Sequence, residues 1–226
     1  MSFNHENQLV VSVPRGCSRK AAKAFLSENR DWIITQDAKL PPVLRISDYL
    51  NREPFLSFGG RRVAVSIHEV TSGRGYWIYD AERAEGLFQV PGGEQSDEIL
   101  LGLVRKLASR ELPKRTSELA KIHGFSPGRI SVRDQNTRWG SCSGNESISL
   151  NWRLLLVEPA VQDYVILHEL VHLRHLNHSP RFYRLLDEVD SDRIENERKL
   201  TQKGSLLMRV GRRKDNPSNG RNLART

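Results

Sequence analysis

The chain has 226 residues, a formal net charge of +8, 38% hydrophobic residues and a mean hydropathy of −0.54. That length supports one or two domains with a sizeable core. No run of eighteen apolar residues occurs, the first residues lack a charged segment leading into an apolar one, and Cys17 and Cys142 are the only cysteines, so a membrane span, a secretory signal and a disulfide framework are all unexpected and a cytoplasmic protein is expected.

In chain order, residues 8–13 alternate like a strand, Pro14-Arg15-Gly16 makes a turn, and Ser18 caps a helix over residues 19–39 that Pro41-Pro42 ends. Short strands are predicted at 55–58, 62–67, 75–79 and 86–90, separated by Gly-rich turns. Ser96-Asp97-Glu98 opens a second helix with acidic residues at its positive end, running to His123 with Gly124 as its stop and a kink at Pro113. Residues 129–134 and 146–152 read as two strands with an S-C-S-G-N turn region between them. A helix over 159–176 and packed helices at 180–189 and 192–203 follow. Residues 209–226 hold six Arg or Lys against one Asp and show no apolar period, which predicts a solvated, flexible tail and leaves open a weak, salt-sensitive contact with nucleic acid. The expected division is residues 1–95 as a β-rich lobe with one helix, 96–205 as the catalytic domain and 206–226 as the basic tail.

The helix over 159–176 carries the chemistry, in His168-Glu169-Leu170-Val171-His172. Histidines four apart lie one turn above each other, so both imidazoles can meet one metal ion, and the glutamate beside the first is placed to act on a water held there. Val161, Tyr164, Val165 and Val171 flank the histidines and Ile166 and Leu170 lie opposite, so the helix is apolar nearly all round and buried. Burying Glu169 and two histidines without a purpose would be costly. Neither cysteine sits in a C-x-x-C, so both are poor ligands; Cys142 reads as a packed thiol.

A catalytic zinc takes three protein ligands and keeps one position open. A straight helix puts His175 about 10 Å from His168 along the axis, and His178 about 15 Å. Asn177 can end the helix, however, and Ser179-Pro180 reads as the cap and first residue of the next, so the break can return His178 to the metal. This H-E-x-x-H-x5-H spacing is similar to that of metzincins, except that His175 stands where they have glycine. A glutamate of the next helices, Glu188 or Glu195, is the alternative, as in gluzincins. His178 is preferred, with His175 solvent-facing or supporting the ligands.

Thr137-Arg138-Trp139-Gly140-Ser141-Cys142-Ser143, then I-S-L-N-W-R at 148–153, then H-E-L-V-H with Asn177-His178-Ser179, resemble the YgjP-like metallopeptidases, relatives of the SprT-like zinc proteases. The resemblance extends from the opening strand-turn-helix to about residue 190. It implies an α+β, zincin-like metallopeptidase core beside the small N-terminal β-rich lobe, zinc ligands at His168, His172 and His178, a catalytic Glu169, Zn²⁺ as cofactor, and protein or peptide substrates. Zincins commonly take substrate as an extra strand along a sheet edge, and residues 147–153 are the expected edge, with Ile148, Leu150 and Trp152 on one face and Ser149, Asn151 and Arg153 on the other. Tyr183, Arg138 and Arg153 are candidate donors to the oxyanion; Trp139 reads as a core aromatic. The competing reading is a non-proteolytic, zinc-containing module associated with nucleic acid through its basic tail.

Overall fold

The computed structural model describes residues 1–3, 9–14, 16–39 and 44–212, and divides the chain into two units, residues 1–44 with 211–226 and residues 45–210. In the smaller unit, strands β1 (Ser2–Phe3) and β2 (Leu9–Val10) pair antiparallel. The helix expected over 19–39 is two helices, α1 (Arg19–Glu28) and α2 (Arg30–Asp37), and neither buries a residue. Ser18 caps α1, its hydroxyl accepting from the Ala21 N–H. Asn29 makes the break: its side-chain amide donates to the Phe25 carbonyl, competing with helical pairing.

The larger unit begins with a helix that the sequence did not suggest, α3 (Ile46–Arg52), whose Ile46, Tyr49 and Leu50 are buried. A four-stranded sheet follows in the order β3-β4-β6-β5, from β3 (Phe55–Phe58), β4 (Arg61–Val70), β5 (Tyr76–Asp80) and β6 (Glu85–Pro91). Gly59 and Gly60, at φ of 59° and 71°, make the β3–β4 turn, where side chains would be strained. β4 and β6 run parallel, with β5 returning antiparallel on the outer edge of β6. Helix α4 (Ser96–His123) continues as one helix through Pro113, the expected site of a kink, and stops at Gly124, whose φ of 69° is the left-handed cap.

A boundary at 95/96 is not where the structure divides. β3 is bonded to the second half of the unit: the Ser57 hydroxyl donates to the Val157 carbonyl, and the Gln162 amide donates to both the Ser57 and Leu154 carbonyls at 2.7 and 2.8 Å. These buried bonds make one unit of the β-rich segment and the helix that begins at Pro159.

A second sheet has three strands, not the two expected. β7 (Ile130–Arg133) pairs parallel with β9 (Ile148–Asn151), and β8 (Gly140–Cys142) pairs antiparallel on the other side of β9. β9 is therefore central. The edge nearest the helix that begins at Pro159 is β8, which corrects the assignment of residues 147–153 as the expected edge. The predicted alternation also fails after Leu150: Asn151 accepts from the Arg153 N–H and turns the chain into a buried 3-10 helix, Trp152–Leu156. Asn151 and Arg153 are accordingly buried with the apolar residues.

Helices α5 (Pro159–Val171), α6 (Pro180–Val189) and α7 (Arg193–Leu207) complete the α+β unit. α5 is packed by α4, α6, α7 and the three-stranded sheet, as expected of a helix that is apolar nearly all round. Residues 207–210, within the expected flexible tail of 206–226, are packed instead, with Leu207, Met208 and Val210 buried. The cause is Arg153, fully buried, whose guanidinium donates twice to the Val210 carbonyl at 2.7 and 2.9 Å and once to Asp134 at 2.5 Å. Residues 213–226, the rest of the expected tail, lie outside the described residues.

Candidate metal centre

Pro159 occupies the first turn of α5, where its missing N–H costs nothing. α5 ends at Val171, five residues before the expected stop, with His172 as its cap. Residues 173–179 then fold back and Ser179 caps α6, its hydroxyl accepting from the Phe182 N–H. The early stop removes the distance problem set by a straight helix. His168, His172 and His178 offer ring nitrogens that all lie within 4.8 Å of one another, and His168 Nε2 and His178 Nε2 are 3.0 Å apart.

His175, Glu188 and Glu195 are not in that cluster among the described residues. His175 contributes through its backbone: its carbonyl lies 3.0 Å from His172 Nδ1. With the proton on Nδ1, that bond fixes the ring and leaves Nε2 as a lone-pair donor. The Glu195 carboxylate is exposed and holds Arg198 and Lys199, and the Arg198 hydrogen bond keeps its pKa down at about 2.

Phe182 completes the cluster, and sequence reasoning missed it. Its buried ring lies 4.9, 4.6 and 4.8 Å, centroid to centroid, from the rings of His168, His172 and His178. A signal existed: Ser179-Pro180 opens α6, which places Phe182 in its first turn, beside the last of the three histidines.

The electrostatics favour neutral imidazoles. Burial, then the neighbouring His172 and His178, pushes His168 down to about 4. Burial also lowers His172, with the bond to His175 opposing it. Both rings keep a free lone pair at neutral pH, as a metal ligand must. Glu169, only 6% exposed, is pushed up to about 7 by burial, against the opposing charge of Arg138. It is packed against Gly140 of β8, and the same surroundings, burial first and then Glu169, raise the Cys142 thiol.

The oxyanion candidates separate by position. Arg153 is committed to Val210 and Asp134 and is closed to solvent. Tyr183, 38% exposed, has its ring centroid 6.1 Å from that of His178, with the Arg193 guanidinium 5.2 Å from the ring centre. Arg138 is exposed, and its charge acts on Glu169. Trp139 is half-buried beside Gly204.

No helix of the described residues is long and apolar enough to cross a membrane. Two solved metallopeptidase zymogens are similar to parts of the chain. Jannalysin of Methanocaldococcus jannaschii is 22% identical over 42% of this chain and 97% of its own, with a TM-score of 0.36. Abylysin of Pyrococcus abyssi is 22% identical over 40% of this chain and 93% of its own, also with a TM-score of 0.36. No curated protein matches. The sequence model of the YgjP-like metallopeptidase domain, by contrast, matches residues 1–203, and by that match the chain belongs to the YgjP-like metallopeptidase family.

Proposed function

We propose that the protein hydrolyses peptide bonds with one Zn²⁺ held by His168, His172 and His178 and with Glu169 as the general base. The observation that carries this reading is the convergence of three imidazoles on one point, with Glu169 on the same helix. The donor set fits the ion. All three ligands are nitrogen donors, two are biased toward the neutral form by burial, and the His175 carbonyl orients one of them. Zinc bound there would supply a lowered pKa for an attacking water and polarisation of the scissile carbonyl.

The chain's own groups supply the rest. Glu169, with a carboxyl near neutrality, accepts the proton of the attacking water and delivers it to the departing amine. Burial withholds competing water from the carboxylate. β8 lies at the edge of its sheet beside Glu169, so its outer backbone groups are placed to pair with a substrate in extended form. Tyr183 and Arg138 are the remaining candidates for the developing negative charge.

The test is metal content of untagged full-length protein, paired with cleavage of an unfolded protein substrate. Wild type should carry about one zinc per chain. His178→Ala should lose it. Glu169→Gln should keep it while cleavage falls by at least about a hundredfold. Zinc retained by His178→Ala would move the third ligand elsewhere, and full activity in Glu169→Gln would remove the general-base role.

A further inference from the structure

The three-stranded sheet has a second face, and its residues form a receptor of their own. A Cβ on Gly140 would meet Glu169, so the next residue, Ser141, points to the opposite side of the strand. Ser141 is in register with Ser149, and Ser149 with Ser131, which sets three hydroxyls in a row across β8, β9 and β7. Arg129 and Arg133, two residues before and after Ser131, flank the row on the same face. Ser143 and Ser147 continue it toward the β8–β9 turn. Together these groups line a cavity of about 350 Å³, within the usual range for small-molecule sites.

Three features of the lining point to an anion. No carboxylate lines the cavity. Neither Arg129 nor Arg133 is ion-paired among the described residues, whereas the adjacent Asp134 is engaged by Arg105 and Arg153. The Ser141 and Ser147 hydroxyls have no hydrogen-bond partner among the described residues, whereas the Ser131 hydroxyl donates to the Ile148 carbonyl and that of Ser143 to Asn145 and the Ser147 carbonyl. Two guanidinium forks and the two uncommitted hydroxyls, Ser141 and Ser147, match a group with several charged oxygens and offer more donors than a planar carboxylate can use. We propose that this face binds a phosphate group, either the free ion or the phosphoryl end of a small molecule. The site is built from the sheet alone and does not depend on the metal centre.

Titration calorimetry on the full-length protein tests this, with inorganic phosphate, adenosine 5′-monophosphate and acetate compared at matched ionic strength. Saturable phosphate binding is expected, at least tenfold weaker in Arg129→Gln/Arg133→Gln and several-fold weaker in Ser141→Ala/Ser147→Ala. Lys20→Gln/Lys23→Gln, an equal charge change on α1, should leave it unaltered. Tighter binding of the nucleotide would identify a phosphoryl group on a larger molecule as the source; equal binding would identify the free ion. No saturable binding, an equal response to acetate, or equal weakening by the lysine pair would overturn the proposal. The two arginines are exposed, so their replacement spares the fold, and an unchanged melting temperature verifies it.

Discussion

Gly140 and Glu169, twenty-nine residues apart, are in contact so close that no larger residue fits at the first: a Cβ there would lie 2.5 Å from Glu169 Oε1 and 2.6 Å from its Cγ. The glycine sets where the carboxylate stands. Gly140→Ala should therefore displace the Glu169 carboxylate by about an ångström and, with Glu169 in the proposed role, lower kcat/KM by roughly a hundredfold. Zinc content should be unchanged, because the atoms nearest the new methyl group all belong to Glu169. Parallel metal analysis and cleavage assays measure this; a variant with wild-type cleavage would show that Glu169 adjusts freely.

His175 tests how the metal cluster is held. Only its backbone carbonyl meets His172, so His175→Ala should keep zinc at the wild-type level. His172→Ala should lose it. Zinc measured after dialysis against a weak chelator separates the two, and loss in both would give the His175 ring a part in binding.

The Glu169 carboxyl predicts a pH dependence of stability. Burial raises it from the ordinary 4.5 to about 7, so folding favours its protonated form. The metal-free protein thus has the full contribution below the ordinary value and loses it as pH rises through about 7. His168, lowered to about 4, acts in the opposite sense and is lost on acidification, equally in wild type and variant. Metal-free Glu169→Gln should exceed metal-free wild type in stability at pH 8 by up to about 3 kcal/mol, and match it near pH 4. Urea unfolding in the presence of chelator gives both values; a gap that does not widen with pH would place the carboxylate in water.

Asp134 accepts from Arg105, Trp152 and Arg153, so its loss leaves a fully buried guanidinium without its counter-charge. Asp134→Ala should cost about 3 kcal/mol, and Asp134→Asn less, since the amide oxygen still accepts. Asp134 is itself 31% exposed, which keeps the cost at the lower end for a buried pair. Equilibrium denaturation measures the difference, and a loss below about 0.5 kcal/mol would mean water replaces the carboxylate.

Much of this architecture was legible because its signals are local. Ser18, Pro159, Ser179-Pro180 and Gly124 mark helix ends by their own chemistry, and the structure uses each in that role. His168, Glu169 and His172 were legible by helical period, and the return of His178 by the Asn-His-Ser-Pro break. β8 was not, since Gly-Ser-Cys has neither β-branched residues nor length. The 3-10 helix at Trp152–Leu156 was hidden in an apolar run that reads equally well as strand. The end of α5 at Val171 was missed because apolar and basic residues continue the helical pattern beyond it. Gly140 against Glu169, Phe182 beneath the histidines and Arg153 on Val210 are long-range contacts, and no spacing rule within a single segment encodes them.

The bond from Arg153 to Val210 spans fifty-seven residues and bears on the order in which the protein matures. A ribosome delivers the chain from its N-terminus, so the β-rich segment, the three-stranded sheet and α5 all exist before the carbonyl that receives this guanidinium has been made. Until α7 and residues 208–210 emerge, the Arg153 guanidinium can pair with Asp134 but lacks the Val210 carbonyl that takes two of its hydrogen bonds. Completion is therefore deferred to the three residues that follow α7, and a growing chain stalled short of Val210 stays open to chaperones and proteases.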